Sequence, residues 1–220
     1  MRIVLTGTEG SGIRLAEALS GEGLDVLRCP LVRLEVVEGP SLSLDGYDWL
    51  LLTSRNAVDP LFRRLEGGRL PQVAVVGPGT AEALRERGVD PALVARRSTQ
   101  EGLAAELPRP LGRALFAGAE GARDVLVREL GADFVPLYRT VEVAPEIFPS
   151  ADLVVLASAS AARALARVRL DLPCVSIGPV TSDEARRLGL RVAAEARSHD
   201  RDGLVRAVKL AASRAASSPS

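Results

Sequence analysis

The chain has 220 residues, 47% hydrophobic and 25% charged, a composition that suits one large α/β domain or two small ones. Its 28 basic and 28 acidic residues balance to zero net charge without a basic run, which argues against a nucleic-acid partner held through phosphates. No apolar stretch reaches the roughly 20 residues that span a bilayer, and a single histidine, His199, excludes His-based triads and multi-His metal sites.

In chain order, Arg2–Thr6 is a β-branched run that reads as a strand, and Gly7, Gly10 and Gly12 mark a turn. Ile13–Leu19 has helical spacing and ends at Gly21 and Gly23. Asp25–Cys29 is the next strand, followed by an extended alternating segment, Leu31–Val37, with no adjoining helix. Trp49–Thr53, Val73–Val76, Leu153–Leu156 and Cys174–Ile177 are short, nearly unbroken apolar runs, as expected of parallel strands covered by helices on both faces. Val135–Val143 repeats the extended pattern of 31–37. The small, polar stretch 211–220 is expected to be a disordered tail. Cys29 and Cys174 lack CxxC spacing and read as buried, reduced thiols, and a cytoplasmic location is expected.

The sequence is also one unit written twice. Val73–Thr80 (VAVVGPGT) recurs as Cys174–Thr181 (CVSIGPVT), so that Gly77 and Gly178 stand 101 residues apart, as do Gly102 and Gly203. Trp49–Ala57 has a counterpart in Leu153–Ala161, and Arg2–Gly10 in Arg113–Gly121. Two copies are too few for a solenoid, so the expectation is two similar α/β lobes. One comprises 1–33 and 142–210, the other 36–136, and 31–37 and 135–143 act as paired linker strands. A two-strand hinge would leave a cleft, and small-molecule sites favour domain interfaces.

Four turns can carry chemistry. Gly77-Pro78-Gly79-Thr80 and Gly178-Pro179-Val180-Thr181 each follow a strand and open a helix, with Thr80 and Thr181 as expected N-caps and Thr181–Glu184 as a capping box. Free N–H groups there attract anions, although a capped β–α turn without a ligand has the same pattern. Ser54 and Asn56, and Ser158 and Ser160, present hydroxyl and amide groups at strand carboxyl ends, where they serve equally as caps or as ligand contacts. Neither Ser54 nor Ser158 has a nearby base, so neither is a nucleophile. The Gly7–Gly12 turn fits neither GxGxxG nor the P-loop spacing. Tyr138, in the second linker, is either an anchor between lobes or a proton donor.

Taken in order, Leu51–Val58, Val76–Leu84, Gln100–Leu103, Pro136–Thr140 and Ile177–Thr181 resemble the uroporphyrinogen-III synthase family from about Arg2 to Val208. The resemblance implies two flavodoxin-like, doubly wound parallel-sheet lobes joined by a two-stranded β-linker, working as a monomer without metal or organic cofactor. The implied substrate is hydroxymethylbilane, a linear tetrapyrrole with eight carboxylates. Its terminal hydroxyl is expelled, ring D is inverted through a spiro intermediate, and the macrocycle closes, formally a water-eliminating lyase reaction. Carried over by position, Tyr138 is the linker tyrosine that assists departure of the hydroxyl. Ser54, Asn56, Gly77, Thr80, Ser158, Ser160, Gly178 and Thr181 line the substrate. This chain departs from the family's Thr-Arg-Pro at Thr6-Gly7-Thr8, from a second arginine at Ala117-Gly118, and from Thr-Ser at Ala157-Ser158. Arg14 and Arg123 are the candidates to replace those arginines. The competing readings are a two-lobed, non-catalytic binding or regulatory protein for a small anionic ligand, and a transferase for phosphorylated substrates, which the absent phosphate fingerprint disfavours.

Overall fold

The computed structural model describes residues 1–169 and 171–216. The chain opens with β1 (Arg2–Leu5), α1 (Ile13–Gly21), β2 (Asp25–Arg28) and β3 (Val32–Val36). It continues through β4 (Trp49–Leu52), a 3-10 turn (Arg55–Ala57), α2 (Val58–Arg64), β5 (Gln72–Val75), α3 (Pro78–Arg85), β6 (Leu93–Val94), α4 (Gln100–Glu106), β7 (Ala114–Ala119), α5 (Val125–Leu130) and β8 (Asp133–Glu142). The last part holds β9 (Leu153–Leu156), α6 (Ala159–Val168), β10 (Cys174–Ser176), α7 (Pro179–Arg187), β11 (Val192–Glu195) and α8 (Arg201–Ala216). Two compact units result: unit 1 is Met1–Leu34 with the chain from Thr140 onward, and unit 2 is Glu35–Arg139.

Unit 1 contains a sheet in the order β11-β10-β9-β1-β2, with every pairing parallel. Successive side chains of a strand face opposite ways, and β1 shows the consequence. Val4 packs with Val154, Leu156 and Cys174 on one face, whereas Ile3 and Leu5 pack with Leu153, Val155 and Val175 on the other. Both faces are covered, which is why the strand sequences are unbroken apolar runs rather than alternating ones. Each such leucine or valine stabilises the fold by roughly 1.5–3 kcal/mol over its exposed state.

The unit 2 sheet has the order β3-β8-β7-β4-β5-β6. Its core strand β4 is buried throughout, Leu50 and Leu52 on one side and Trp49 and Leu51 on the other. If unit 1 is counted as β1, β2, β9, β10, β11 and unit 2 as β7, β8, β4, β5, β6, both sheets have the spatial order 2-1-3-4-5. The two units share a topology and differ in where the chain enters it.

Two expectations need correction. The segment 135–143 is more than a linker strand: β8 begins at Asp133, and Asp133–Tyr138 pairs in parallel with β7, Leu115 opposite Asp133 and Ala119 opposite Tyr138. The expected disordered tail from 211 is helical as far as Ala216, because α8 continues and Ala211 is buried against Val208 and Leu204. Alanine is the best helix former, so an Ala-rich end that touches a core stays folded. Residues 217–220 of that expected tail lie outside the described residues. Cys29 and Cys174 are free and buried, and burial pushes the Cys174 thiol up to about 11. No helix among the described residues is long and apolar enough to cross a membrane.

Candidate functional site

In a 2-1-3-4-5 sheet the helices leave in opposite directions on either side of the first strand, which opens a crevice at the carboxyl ends of strands one and three. In unit 2 those strands are β7 and β4. The loop after β4 places Ser54 in extended backbone (φ −153°, ψ 140°), where its Oγ accepts the Asn56 amide at 3.2 Å and caps the 3-10 turn. The β7 end is kept slim by Gly118, where a Cβ would lie 2.9 Å from the Phe116 ring and 3.8 Å from Thr53 Oγ1. Tyr138 is only 7% exposed and packs in the cluster that holds Ala57, Val58, Ala117 and Leu137. Burial pushes the pKa of its phenol above the ordinary value, and the nearby Ser54 hydroxyl pulls weakly the other way. The phenol therefore stays protonated at neutral pH.

The two Gly-Pro turns are alike, and both differ from expectation in their caps. Gly77 and Gly178 are the N-cap residues, both in extended backbone, with Pro78 and Pro179 in the first turn. Proline suits that position because its missing N–H has no intrahelical partner there. The helices accordingly start at the prolines, two residues before the threonines. Thr80 and Thr181 sit inside the first turn, 5% and 4% exposed, with their amides donating to the Gly77 and Gly178 carbonyls at 3.1 Å. The expected capping box at Thr181 is absent. Glu184 instead pairs with Arg187 at 2.8 Å and Arg163 at 3.4 Å, which together hold its carboxyl at about 2.

A further pair of residues covers these turns, and motif reading passed over both. A Cβ on Gly77 would lie 3.2 Å from Ser98 Oγ, and one on Gly178 would lie 2.5 Å from Nε2 of His199. Ser98 and His199 are themselves 101 residues apart, so the duplication contained the signal. Each precedes a helix cap: Thr99 Oγ1 accepts the Gly102 amide at 3.0 Å, and Asp200 Oδ1 accepts the Gly203 amide at 2.7 Å.

In unit 1 the first and third strands are β1 and β9. Thr6 is buried and donates its hydroxyl to the Val155 carbonyl at 2.8 Å, which ties the two strand ends together. Ser158 caps α6 by accepting the Ala161 amide at 3.1 Å, and Ser160 accepts from Arg163 at 3.0 Å. Both hydroxyls thus have partners inside the unit. The loop after β1 is held by Arg28, whose guanidinium donates to the Glu9 carbonyl. Arg123, in unit 2, is clamped by Glu101 through bonds of 2.5 and 3.0 Å, which hold the Glu101 carboxyl at about 2. The Arg14 side chain has no hydrogen-bond or ion-pair partner among the described residues. No group of three or more His, Cys, Asp or Glu among the described residues can hold a metal ion.

A family model described as uroporphyrinogen-III synthase HemD matches residues 13–206. The chain belongs to the uroporphyrinogen-III synthase family. A uroporphyrinogen-III synthase of Synechococcus elongatus is 27% identical, with 94% of each chain covered. A protein of Methanocaldococcus jannaschii assigned by name to the same family is 27% identical over 151 residues, 64% of this chain and 63% of that one, so the alignment spans less than two thirds of that relative's length. Among solved structures, uroporphyrinogen-III synthetase of Helicobacter pylori superposes with a TM-score of 0.72 at 18% identity, covering 97% of this chain and 100% of the other. A mutant Thermus thermophilus uroporphyrinogen III synthase gives 0.62, also at 18% identity. At that identity the structural likeness concerns the fold, a mixed α/β architecture with parallel sheets.

Within this family frame, the residues that carry the resemblance separate by unit. Unit 2 brings together Thr53, Ser54, Gly118 and Tyr138 through contacts on β4, β7 and β8. Unit 1 contributes Ser158, Ser160, Gly178 and Thr181, and no tyrosine, because the chain's two tyrosines, Tyr47 and Tyr138, both fall in 35–139.

Proposed function

We propose that this chain is a uroporphyrinogen-III synthase that cyclises hydroxymethylbilane with inversion of ring D and loss of water, as a cofactor-independent lyase of tetrapyrrole biosynthesis. The observation that carries this reading is the span of the family match, residues 13–206, which takes in Tyr138 and the Gly-Pro turns of both units. We read the units as flavodoxin-like lobes, supported by their shared strand order, and β3 and β8 as the strands that link them, supported by unit boundaries that fall inside both.

The carboxyl edge of each unit is proposed to bind the bilane, with Ser54, Asn56, Gly77 and Thr80 in one and Ser158, Ser160, Gly178 and Thr181 in the other. The Gly-Pro turns act there through first-turn backbone rather than through the buried threonine side chains, and the more exposed groups act through side chains. Holding the two ends of a flexible chain together replaces a large entropic part of the barrier. Tyr138, protonated at neutral pH, donates its proton to the departing hydroxyl so that it leaves as water, a contribution of about 10²–10⁴-fold. The bridge-bearing carbon of ring D attacks the methylene cation that remains to give the spiro intermediate. The old bridge bond to ring D then breaks and leaves the cation on the neighbouring ring, and the free α-carbon of ring D bonds to that cation. The macrocycle then closes with return of one proton to the phenolate, so the sum is hydroxymethylbilane to uroporphyrinogen III plus water.

Incubation of the purified chain with freshly made hydroxymethylbilane, oxidation and chromatographic separation of isomers test this directly. The type III isomer is expected. A product consisting only of the spontaneous type I isomer would overturn the proposal, and tight binding without turnover would indicate a receptor for the same ligand.

A further inference from the structure

We infer that Arg163 is a positioning residue: its guanidinium occupies a lone pair of the Ser160 hydroxyl and so leaves the serine proton to donate to a carboxylate of the bound substrate. The inference rests on Ser160 contacting the bilane, and it adds what makes that serine a donor for an anion.

The polarity follows from the groups themselves. A guanidinium has N–H donors, no acceptor and a permanent charge, so in its 3.0 Å bond with Ser160 Oγ it is Arg163 that donates. Its other two nitrogens are also engaged, Nε donating to Glu142 at 2.7 Å and Nη1 to Glu184 at 3.4 Å. A hydroxyl with one lone pair taken still has its proton to give. Among the described residues no acceptor receives the Ser160 proton. In a helix interior a serine can pass that proton to the carbonyl four residues back. Here that residue is Leu156, at the end of β9, and its carbonyl already accepts the Ile177 amide at 3.0 Å. Ser160 is only half-buried, which leaves its hydroxyl within reach of a ligand.

The surroundings fix both the place and the charge. β9 and β10 run in register, Leu156 opposite Ser176, so α6 and α7 start at one level on the carboxyl edge of the sheet. Arg163 ties these two helices together through Glu184 and reaches the last residue of β8 through Glu142. Arg167 and Arg187 pair with the same two carboxylates, at 3.0 and 2.8 Å. Because each carboxylate has a second arginine, the charge of Arg163 is not cancelled by them and backs the Ser160 bond, which suits an anionic acceptor. Unit 2 offers a natural contrast. In the alignment of Trp49–Ala57 with Leu153–Ala161, Asn56 stands for Ser160 and, three residues on, Asp59 for Arg163. Asp59 turns to Arg87 instead, at 2.6 Å. Alignment of Gly77 with Gly178 likewise puts Ala83 where unit 1 has Glu184.

A double-mutant cycle on KM for hydroxymethylbilane, with kcat measured alongside, decides the matter. Ser160→Ala should raise KM about fivefold and change kcat less than about twofold. Arg163→Gln should raise KM by a similar factor, and its effect should vanish in the Ser160→Ala background. Ser160→Thr, which keeps the hydroxyl, should hold KM within about twofold of the wild type. Arg167→Gln removes an equal charge from the same cluster without touching Ser160, and should also hold KM within about twofold. The fold tolerates these changes, because Ser158 rather than Ser160 caps α6, and Glu142 and Glu184 each keep one arginine when the other is replaced. Multiplicative effects of Arg163→Gln and Ser160→Ala would overturn the inference. So would an unchanged KM in Ser160→Ala, an equal rise of KM in Arg167→Gln, or a loss of kcat at unchanged KM. Any of these results obtained while the wild type makes the type III isomer removes only the role of Arg163. A wild type that makes only type I removes the function itself.

Discussion

The two units can be compared residue by residue, because 72–104 aligns without a gap on 173–205. Positions dictated by backbone are retained. Gly88 and Gly189 both have positive φ, 76° and 82°, where a helix ends. Gly102 and Gly203 both sit where a Cβ would strike a carbonyl of the preceding loop, Arg97 in one unit and Ser198 in the other. The space beneath the Gly-Pro turn is filled in opposite ways. Unit 2 has Val75, Ala81 and Val94, with Val75 and Val94 paired across β5 and β6. Unit 1 has Ser176, Ser182 and Glu195 at the same places, with Ser176 and Glu195 paired across β10 and β11. There the serine oxygens lie 2.6 Å apart, both fully buried, and Ser182 donates on to Glu195. A duplicated backbone thus constrains glycines and caps strictly, while the fill can be apolar or a polar chain that leads from buried Ser176 and Ser182 out to the exposed Glu195. The tyrosines diverge in the same manner and leave the proposed proton donor to unit 2 alone.

The backbone half of this comparison carries the largest expected effects. Gly102→Ala and Gly203→Ala should each destabilise their own unit by about 3 kcal/mol, since the clash is with backbone and cannot be relieved by a side-chain rotation. Trp49, the only tryptophan, is buried in unit 2. Urea unfolding followed by its fluorescence should register Gly102→Ala strongly, and Gly203→Ala should appear mainly in circular dichroism. Equal effects on both signals would show that the units unfold as one.

The fill is the next largest. Ser182→Ala leaves the fully buried Ser176 hydroxyl without its partner and should cost about 2 kcal/mol. The triple substitution Ser176→Val, Ser182→Ala, Glu195→Val installs the fill of unit 2 and should return to within about 1 kcal/mol of the parent, because no polar group is then left unmatched. Melting temperatures of the two variants check this, and a triple variant less stable than Ser182→Ala would contradict it.

The caps give the smallest effects and differ by charge. Thr99→Ala should cost about 1 kcal/mol at any pH. The equivalent cap, Asp200, is ionisable, and the Gly203 amide, followed by Ser198, holds its carboxyl below the usual range. A depressed folded pKa means that this stabilisation is complete above the unfolded value near 3.8 and disappears as pH falls through the lower folded value. Asp200→Ala should therefore be destabilising at pH 7 and close to silent near pH 2, as read from unfolding midpoints at the two pH values.

Much of the fold was legible because doubly covered strands announce themselves. Leu153–Leu156 occupies the segment read from its apolar run, and Trp49, Val73 and Cys174 lie within a residue of where β4, β5 and β10 begin. The duplication was legible for the same reason. The N-caps were misread because Thr80 and Thr181 are good capping residues by type, and only the helix start, set by proline, shows that they are too far inside. The Ser176–Ser182–Glu195 chain could not be read, since each residue is ordinary in its own segment and they meet only through the pairing of β10 with β11. Tyr138 stood out by its rarity. Its burial did not, because it depends on β8 joining the sheet beside β7.

The most direct measurement is kcat of Tyr138→Phe on hydroxymethylbilane, with the product isomer determined in the same reactions. Loss of the proton donor with the binding edges intact predicts a rate about 10²-fold below the wild type and a product that is still type III. A variant that turns over as fast as the wild type would contradict the account.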